Sequence, residues 1–202
     1  LNETQQENLS EILNVNELKK YDRVVLDLKW GLIKRQRSFI SLIPNLVIHE
    51  SDACTNFISS SGRYRKYEAF YHRLGPFRLI CTSRTVSEWF CAQGLDAVFV
   101  PKSFDSNYLR HLELKRDIKF GFVGTEKNRI YRARNKMLKS FSQSIPLFIT
   151  QTKTKDEYLE ILNRIDFFIS ADVGLYEYMI KNFEALSCGC ILVAYRQGRE
   201  EE

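Results

Sequence analysis

The sequence predicts an α/β fold made of two Rossmann-like domains. Short apolar segments of strand length alternate with segments of helical periodicity, and this alternation occurs twice, with four strands in each half. The division falls near Phe104 and Asp105, which predicts an N-terminal domain of residues 1–104 and a C-terminal domain of residues 105–202. Both domains are short for this fold. We expect the ligand site in the cleft between them, because open α/β sheets bind ligands at their carboxyl edges.

The N-terminal half contains four strand candidates with helices between them. Leu9, Ile12, Leu13 and Leu18 recur at helical intervals and predict one amphipathic helix over residues 3–20. The predicted strands span residues 24–28, 46–49, 78–83 and 97–100. Strands that alternate with helices in this way are typical of a parallel sheet.

The C-terminal half repeats the pattern. Its predicted strands span residues 118–123, 147–150, 166–170 and 191–194, and its first two helices span 129–141 and 156–164. A third helix ends at Gly189 and is expected to turn Phe183 and Leu186 inward. On this last helix Lys181 and Glu184 are three positions apart and share one face, with Glu177 nearer its start.

Composition and charge limit the class of protein. The 202 residues are 44% hydrophobic with a net charge of +5, which suits a globular chain and permits an anionic partner. No apolar run approaches the ~18 residues of a membrane span, and no signal peptide opens the chain, so we expect a soluble cytoplasmic protein. The start at Leu1 and the lack of an element after Tyr195 indicate that both ends are cuts in a longer protein.

The cysteines do not suggest a metal site. Cys54, Cys81, Cys91, Cys188 and Cys190 form an odd set without the spacing of metal ligands. We therefore expect free thiols in a reducing compartment.

A glycine turn at the start of the second half is a candidate diphosphate site. The segment FGFVGTEKNR places Gly124 and Thr125 between a strand and a basic helix. Small residues let the backbone approach a phosphate, and a helix start favours negative charge. The predicted diphosphate ligands are Gly124, Thr125, Lys127, Arg129 and Arg132, and the helix also carries Arg134. The segment is neither a GxGxxG nor a P-loop motif, and a solvated helix face remains the alternative for each cation.

Two further segments carry charge. His49, Glu50 and Asp52 follow the second strand at the edge where ligands bind, with an exposed polar loop as the alternative. The segment from Gly62 to Arg73 mixes cations with aromatic residues, which suits either nucleic-acid binding or an amphipathic helix. The helix is favoured because its large apolar residues recur at i, i+3, i+4 and i+7, namely Tyr67, Phe70, Tyr71 and Leu74.

The segment NFEALSCGCILVA, residues 182–194, resembles the C-terminal motif of group 1 glycosyltransferases of the GT-B fold. Three other segments resemble parts of that family in the same order: residues 79–105, KFGFVGT, and DFFISADVGLYEY. The resemblance covers roughly residues 79–198. It implies two Rossmann-like domains facing across a cleft, with the sugar donor bound by the second domain.

The resemblance also implies residue roles. Glu184 matches the second glutamate of the family's paired motif, which binds the donor ribose, and Lys181 matches a basic position near the diphosphate. Glu177 is one residue out of register with the first glutamate, and Tyr176 stands at its place. Relative to the family, the chain also lacks the proline after the glycine, since Cys190 follows Gly189.

These implications define an expected function. The chain would transfer sugar from a nucleotide-diphosphate sugar to a glycan or lipid-linked acceptor, as in polysaccharide biosynthesis, with retention and with neither metal nor cofactor. His49 and Glu177 are the predicted catalytic residues, and Glu50 and Asp52 lie on the acceptor side. Peripheral contact with the inner face of a membrane is compatible with this function, and nucleic acid is not an expected partner. The alternatives are a nucleic-acid-binding α/β module, using residues 63–73 and 129–134, and a catalytically silent GT-B-like binding protein.

Overall fold

The protein is described by a computed structural model that covers residues 1–125, 129–170 and 178–195. The chain divides into two compact units, Leu1–Pro101 and Lys102–Glu202. Each unit is an α/β structure with a four-stranded parallel sheet, in agreement with the Rossmann-like pattern expected from the sequence. None of the helices in the described residues has the length and hydrophobicity needed to cross a membrane.

The chain opens with three short helices instead of the single predicted one. They are α1 (Glu3–Glu7), α2 (Leu9–Ile12) and α3 (Val15–Leu18). Asparagines interrupt the helical path: Asn8 lies between the first two, and the Asn14 side chain accepts the Asn16 N–H at 3.0 Å. Such local bonds compete with a continuous helix. Leu9 still anchors this segment, because it is fully buried and its N–H donates to Gln36 Oε1 at 2.7 Å.

The sheet of the first unit follows chain order. Its strands are β1 (Val24–Leu26), β2 (Leu46–Glu50), β3 (Arg78–Cys81) and β4 (Ala97–Phe99), in the spatial order β1-β2-β3-β4. The helices between them are α4 (Trp30–Arg35), α5 (Arg37–Ile40), α6 (Tyr67–Tyr71) and α7 (Arg84–Ala92), with a 3₁₀ helix at Ala53–Asn56. Each successive strand is added on the same side of the preceding one, so the strand order contains no reversal.

The predicted aromatic stripe is confirmed as core. Tyr67, Phe70, Tyr71 and Leu74 are all buried. Trp30 of α4 stacks on Tyr67 with ring centroids 4.6 Å apart. These rings therefore hold the first unit together and are not presented to solvent.

The sheet of the second unit does contain a reversal. Its strands are β5 (Ile118–Val123), β6 (Leu147–Thr150), β7 (Ile165–Ile169) and β8 (Ile191–Val193), in the spatial order β6-β5-β7-β8. The helices are α8 (Arg132–Ser144), α9 (Lys155–Arg164) and α10 (Ile180–Ser187), with a 3₁₀ helix at Arg129–Tyr131. The connection from β5 to β6 runs toward one edge of the sheet, and the connection from β7 to β8 runs toward the other.

Helix α10 turns a different face inward from the one predicted. Its buried positions are Asn182 and Ala185, whereas Leu186 is 50% exposed and Phe183 is half-buried. The inward position of Leu186 was therefore wrong. A polar residue takes that face because Ser170 Oγ, at the end of β7, bonds to Asn182 Oδ1, so the hydrogen bond compensates the burial of an amide.

Candidate functional site

The strand order of the second unit contains a reversal, at which a crevice is expected at the carboxyl edge of the sheet. The strands β5 and β7 are neighbours, and their outgoing connections run to opposite sides. Open α/β sheets bind ligands at this kind of reversal. Gly124 and Thr125 follow β5, Ser170 follows β7, and the bond from Ser170 to Asn182 brings the start of α10 to the same edge. The crevice is therefore the best supported site in the described part of the second unit.

The side chains around Gly124 leave little room for a Cβ at this position. A Cβ at this position would stand 3.0 Å from Cζ of Phe122 and 3.5 Å from Cε of Lys181. The Gly124 N–H donates to the Thr150 carbonyl at 2.8 Å, which extends the ladder between β5 and β6. This amide is therefore engaged within the sheet. The contribution of Gly124 to the crevice is its missing side chain.

Lys181 lies directly beside this glycine. Its side chain is half-buried, and Nζ stands 4.9 Å from the centroid of the Tyr158 ring. Burial lowers the pKa of the Lys181 ammonium; Glu184 opposes that effect, and the like charge of Arg134 adds to it. Two cations thus approach each other in a setting that is poor in water.

Arg134 is the residue that sequence reasoning left out of the site. Only 7% of it is exposed, and Nη2 donates to the Thr125 carbonyl at 3.0 Å. The guanidinium also covers the Tyr131 ring at 4.0 Å, and its Nε is buried without an acceptor among the described residues. Burial lowers the pKa of this guanidinium. A signal was present in the sequence, because Arg134 precedes Leu138 by one turn and so occupies the apolar face of α8.

Glu184 is oriented by a tyrosine. The Tyr158 hydroxyl of α9 donates a short hydrogen bond to Glu184 Oε2. Burial and the charge of Glu184 raise the pKa of Tyr158 well above its ordinary value, so this hydroxyl stays protonated. Within the described residues Oε1 of Glu184 accepts no hydrogen bond. The structure therefore places Gly124, Lys181, Glu184 and Arg134 in one neighbourhood.

The other predicted donor-binding residues are placed less directly. Thr125 is exposed and uses its carbonyl to hold Arg134. Arg132 is exposed at the first position of α8. Arg129 lies in the preceding 3₁₀ helix, and its side chain is outside the described part of the chain. Lys127 and Glu177 lie outside the described residues altogether.

The acceptor-side candidates lie at the carboxyl end of β2 in the first unit. His49 is half-buried, and its Nδ1 faces Asp27 Oδ1 at 3.1 Å. Asp52 is exposed, with its carboxylate 3.7 Å from Arg63 Nη1. His49 and Asp52 are therefore accessible at the edge where a ligand would bind.

Glu50 differs from His49 and Asp52 because it is buried, with only 3% of it exposed. Its Oε2 accepts from the Tyr71 hydroxyl at 2.5 Å, and its Oε1 accepts from the Asp52 N–H at 3.0 Å. Burial raises the pKa of the Glu50 carboxyl from 4.5 to about 7, against the lowering effect of these two bonds. The alternative of an exposed polar loop does not hold for this residue. Glu50 supports the backbone that carries Asp52.

A cavity of about 590 Å³ lies elsewhere in the first unit. It is lined by residues that precede the strands, including Asn45, Pro76 and Leu95. It therefore opens at the amino edge of the sheet, away from the edge where parallel sheets bind ligands. Its charged pair, Arg78 and Asp96, is joined at 2.9 Å. We do not assign this cavity to the site for these reasons.

The described residues contain no group of three or more histidine, cysteine or acidic side chains placed to hold a metal ion. Cys54, Cys81, Cys188 and Cys190 are buried as free thiols, and Cys91 is an exposed one. Burial raises the pKa of the Cys190 thiol to about 11.

No protein-family model matches this chain. No curated protein matches its sequence either. A functional interpretation therefore depends on the geometry of the crevice and on the local resemblance of the sequence to group 1 glycosyltransferases.

Proposed function

We propose that this chain is a glycosyltransferase of the GT-B class, whose second unit binds the nucleotide diphosphate of a sugar donor. The observation that carries the proposal is the pair of cations Arg134 and Lys181. Both are withdrawn from water beside Gly124, at the strand reversal where α/β sheets bind ligands. The local resemblance to group 1 glycosyltransferases supports the same class.

The electrostatics of the pair favour an anionic ligand. Moving a cation out of water is costly, and placing two cations near each other adds repulsion. An anion in the crevice removes both costs. A diphosphate suits the geometry because its several oxygens can accept from the buried Nε of Arg134 and from the ammonium of Lys181. Gly124 leaves room for close approach because it has no side chain.

Glu184 supports the assignment of a nucleotide rather than a simple phosphate. It follows Lys181 by three residues, a rise of about 4.5 Å along α10, so the two side chains lie on one face of the helix, and Tyr158 contacts both of them. A carboxylate can accept two hydrogen bonds from a vicinal diol. Tyr158 fixes one carboxylate oxygen, and the other is left to the ribose.

The proposed chemistry follows from these positions. The bond between the anomeric carbon and the diphosphate oxygen breaks, and the two cations stabilise the negative charge that develops on the leaving diphosphate. The acceptor hydroxyl forms the new bond to the anomeric carbon and releases its proton. We assign His49 to the acceptor hydroxyl: when Nδ1 donates to Asp27, Nε2 carries the lone pair. Retention of the anomeric configuration and a role for Glu177 at the donor sugar stay predictions that rest on the resemblance to group 1 glycosyltransferases.

Binding measurements with two probes test the donor site. The perturbations are Lys181→Met and Glu184→Gln, with Lys136→Met as the matched control because Lys136 is an exposed lysine of α8. Calorimetry with a panel of nucleoside diphosphates identifies the preferred base. A ligand at 100 times its Kd then stabilises the folded protein by about 2.7 kcal/mol, which a thermal shift also detects.

The two variants should separate the phosphate from the ribose. We expect Lys181→Met to weaken both the nucleoside diphosphate and pyrophosphate by about tenfold or more, since a charged hydrogen bond is lost from each. Glu184→Gln should weaken only the nucleoside diphosphate, because pyrophosphate has no ribose. The proposal is wrong if no nucleotide binds, or if Lys136→Met weakens binding as much as Lys181→Met does.

The alternative of a nucleic-acid-binding module has less support. Base stacking requires accessible rings, and the aromatic residues of α6 are in the core. A catalytically silent binding protein would share the donor site. Incubation of the chain with its preferred sugar nucleotide separates the two, because only a transferase releases nucleoside diphosphate when a sugar acceptor is added.

A further inference from the structure

A basic groove lies on the first unit, apart from the residues assigned above. It has a volume of about 430 Å³ and is formed by α4, α5 and the segment that leads into and out of α6. Its lining residues are Trp30, Lys34, Arg37, Arg65, Lys66, Ala69, Phe70 and Arg73. Five of these are cations, and no acidic residue is among the described residues that line it.

The groove cations differ in their pairing from three arginines of the same unit. Arg35, Arg63 and Arg78 each form an ion pair with a carboxylate at 2.8, 3.7 and 2.9 Å respectively. Within the described residues none of the five groove cations forms such a pair. Like charges gathered in one concave surface repel each other and raise the local concentration of anions. The groove therefore carries positive charge that no carboxylate of the described residues offsets through an ion pair.

Neutral groups hold several of these cations in place. Lys66 Nζ donates to the Gly62 carbonyl at 2.7 Å, and Arg73 Nε donates to the Ala69 carbonyl at 2.9 Å. The ammonium of Lys34 covers the Trp30 ring at 5.3 Å. These contacts orient the side chains without neutralising their charge, which reduces the entropy that a ligand must overcome.

The backbone at Arg65 is a second, independent observation. Arg65 has a φ of +52°, a region that residues with a side chain rarely adopt. Its N–H donates to the Asn56 carbonyl at 2.9 Å, which holds it in that conformation. Glycine would fit this position with less strain, yet a long cation is present and lines the groove. Strain of this kind is typical of residues that are placed for a function.

The floor of the groove limits the kind of ligand. Trp30 and Phe70 line it but are only 4% and 8% exposed, so they cannot stack on a base. Recognition must therefore come from charge and hydrogen-bond donation. We propose that this groove binds a compact ligand that carries two or more phosphate groups, either as a free molecule or as the headgroup of a membrane lipid. The site does not depend on the proposed donor site.

The test uses the full chain in a Lys181→Met background, in which the crevice of the second unit lacks its lysine. Two probes are used: inorganic tripolyphosphate, measured by calorimetry, and phosphatidylcholine vesicles containing phosphatidylinositol bisphosphate, measured by co-sedimentation. The groove variant is Lys66→Gln with Arg73→Gln. The control is Lys19→Gln with Lys20→Gln, which removes the same charge from exposed residues near the end of α3.

The groove variant is expected to raise the Kd for tripolyphosphate by about tenfold, whereas the control leaves it unchanged. Specific loss of vesicle binding with little tripolyphosphate affinity would assign the ligand to a lipid headgroup. Strong tripolyphosphate binding without vesicle binding would assign it to a soluble molecule. The proposal fails if neither probe binds, or if the control variant loses as much affinity as the groove variant.

Discussion

Glu50 gives a strong prediction about pH and stability. Its carboxyl is 3% exposed and has a pKa of about 7, raised from 4.5 by burial. Its charged and titratable neighbours are Tyr67, Tyr71, Asp52 and Arg63. We consider the substitution Glu50→Gln, in which the amide mimics the protonated acid. Its oxygen can accept the Asp52 N–H, and its NH₂ group can donate to the Tyr71 hydroxyl.

The direction in which stability changes with pH follows from the raised pKa of Glu50. The folded state binds the Glu50 proton more tightly than the unfolded state, so the stability from this group is full below pH 4.5. It is lost as the pH rises through about 7, where the folded protein must hold a buried carboxylate. The loss amounts to about 3 kcal/mol in total and to about 2.5 kcal/mol between pH 5 and pH 8. Glutamine does not titrate, so the variant avoids this loss.

Urea denaturation at 25 °C from pH 5 to pH 8 measures the effect. Both tryptophans of the chain, Trp30 and Trp89, lie in the first unit, so their fluorescence reports the unfolding of the unit that contains Glu50. We expect the free energy of unfolding of Glu50→Gln to gain about 2.5 kcal/mol relative to the parent across this range. Glu17→Gln, at an exposed residue of α3, is the control and should show no such gain. Parallel stability curves for Glu50→Gln and the parent would refute the argument.

Two glycine substitutions test the packing of the second unit. Gly121→Ala should lower the free energy of unfolding by about 1–3 kcal/mol, because a Cβ would stand 2.5 Å from Cδ1 of Ile165. Adding Ile165→Val should restore part of the loss. Circular-dichroism melts measure both effects. Gly189→Ala should cost about 1–2 kcal/mol, since φ is +78° and the Cβ would stand 2.7 Å from Arg116 Nη2. Gly31→Ala, in helix α4 with nothing within 4 Å, should instead stabilise the first unit by about 0.5–1 kcal/mol, and a comparable loss there would contradict the packing argument.

Local sequence patterns were sufficient for the strands because a buried parallel strand is recognisable from its own residues. The predicted strand at Ile118–Val123 agrees with β5 and the one at Leu147–Thr150 with β6, each to the residue. The i, i+3, i+4, i+7 stripe of α6 also identified core residues correctly, since helical periodicity is a local property. The prediction of a single helix over residues 3–20 was wrong because asparagine side chains bond to the nearby backbone and divide the helix.

The site was harder to predict because its polar groups lie where apolar residues are expected. Arg134 and Asn182 occupy inward helix positions, and each is accommodated by a partner distant in sequence or by a backbone carbonyl: Asn182 by Ser170 and Arg134 by Thr125. Glu50 was identified as a candidate from its place after a strand, but its burial depends on Tyr71, 21 residues further along the chain. Periodicity cannot show such pairings, since they arise from tertiary contacts.

The two described sheets differ in strand order, and only the sheet of the second unit contains a reversal. Both halves of the sequence show the same alternation of strand and helix, yet strand order differs: β1-β2-β3-β4 in the first unit and β6-β5-β7-β8 in the second. Only the second order directs two neighbouring connections apart, and only there do Gly124, Lys181 and Arg134 meet. Two cations that repel each other persist in a folded protein when something else compensates them. An anionic ligand meets that requirement, which is why the proposed donor is assigned to the crevice of the second unit and not to the cavity of the first.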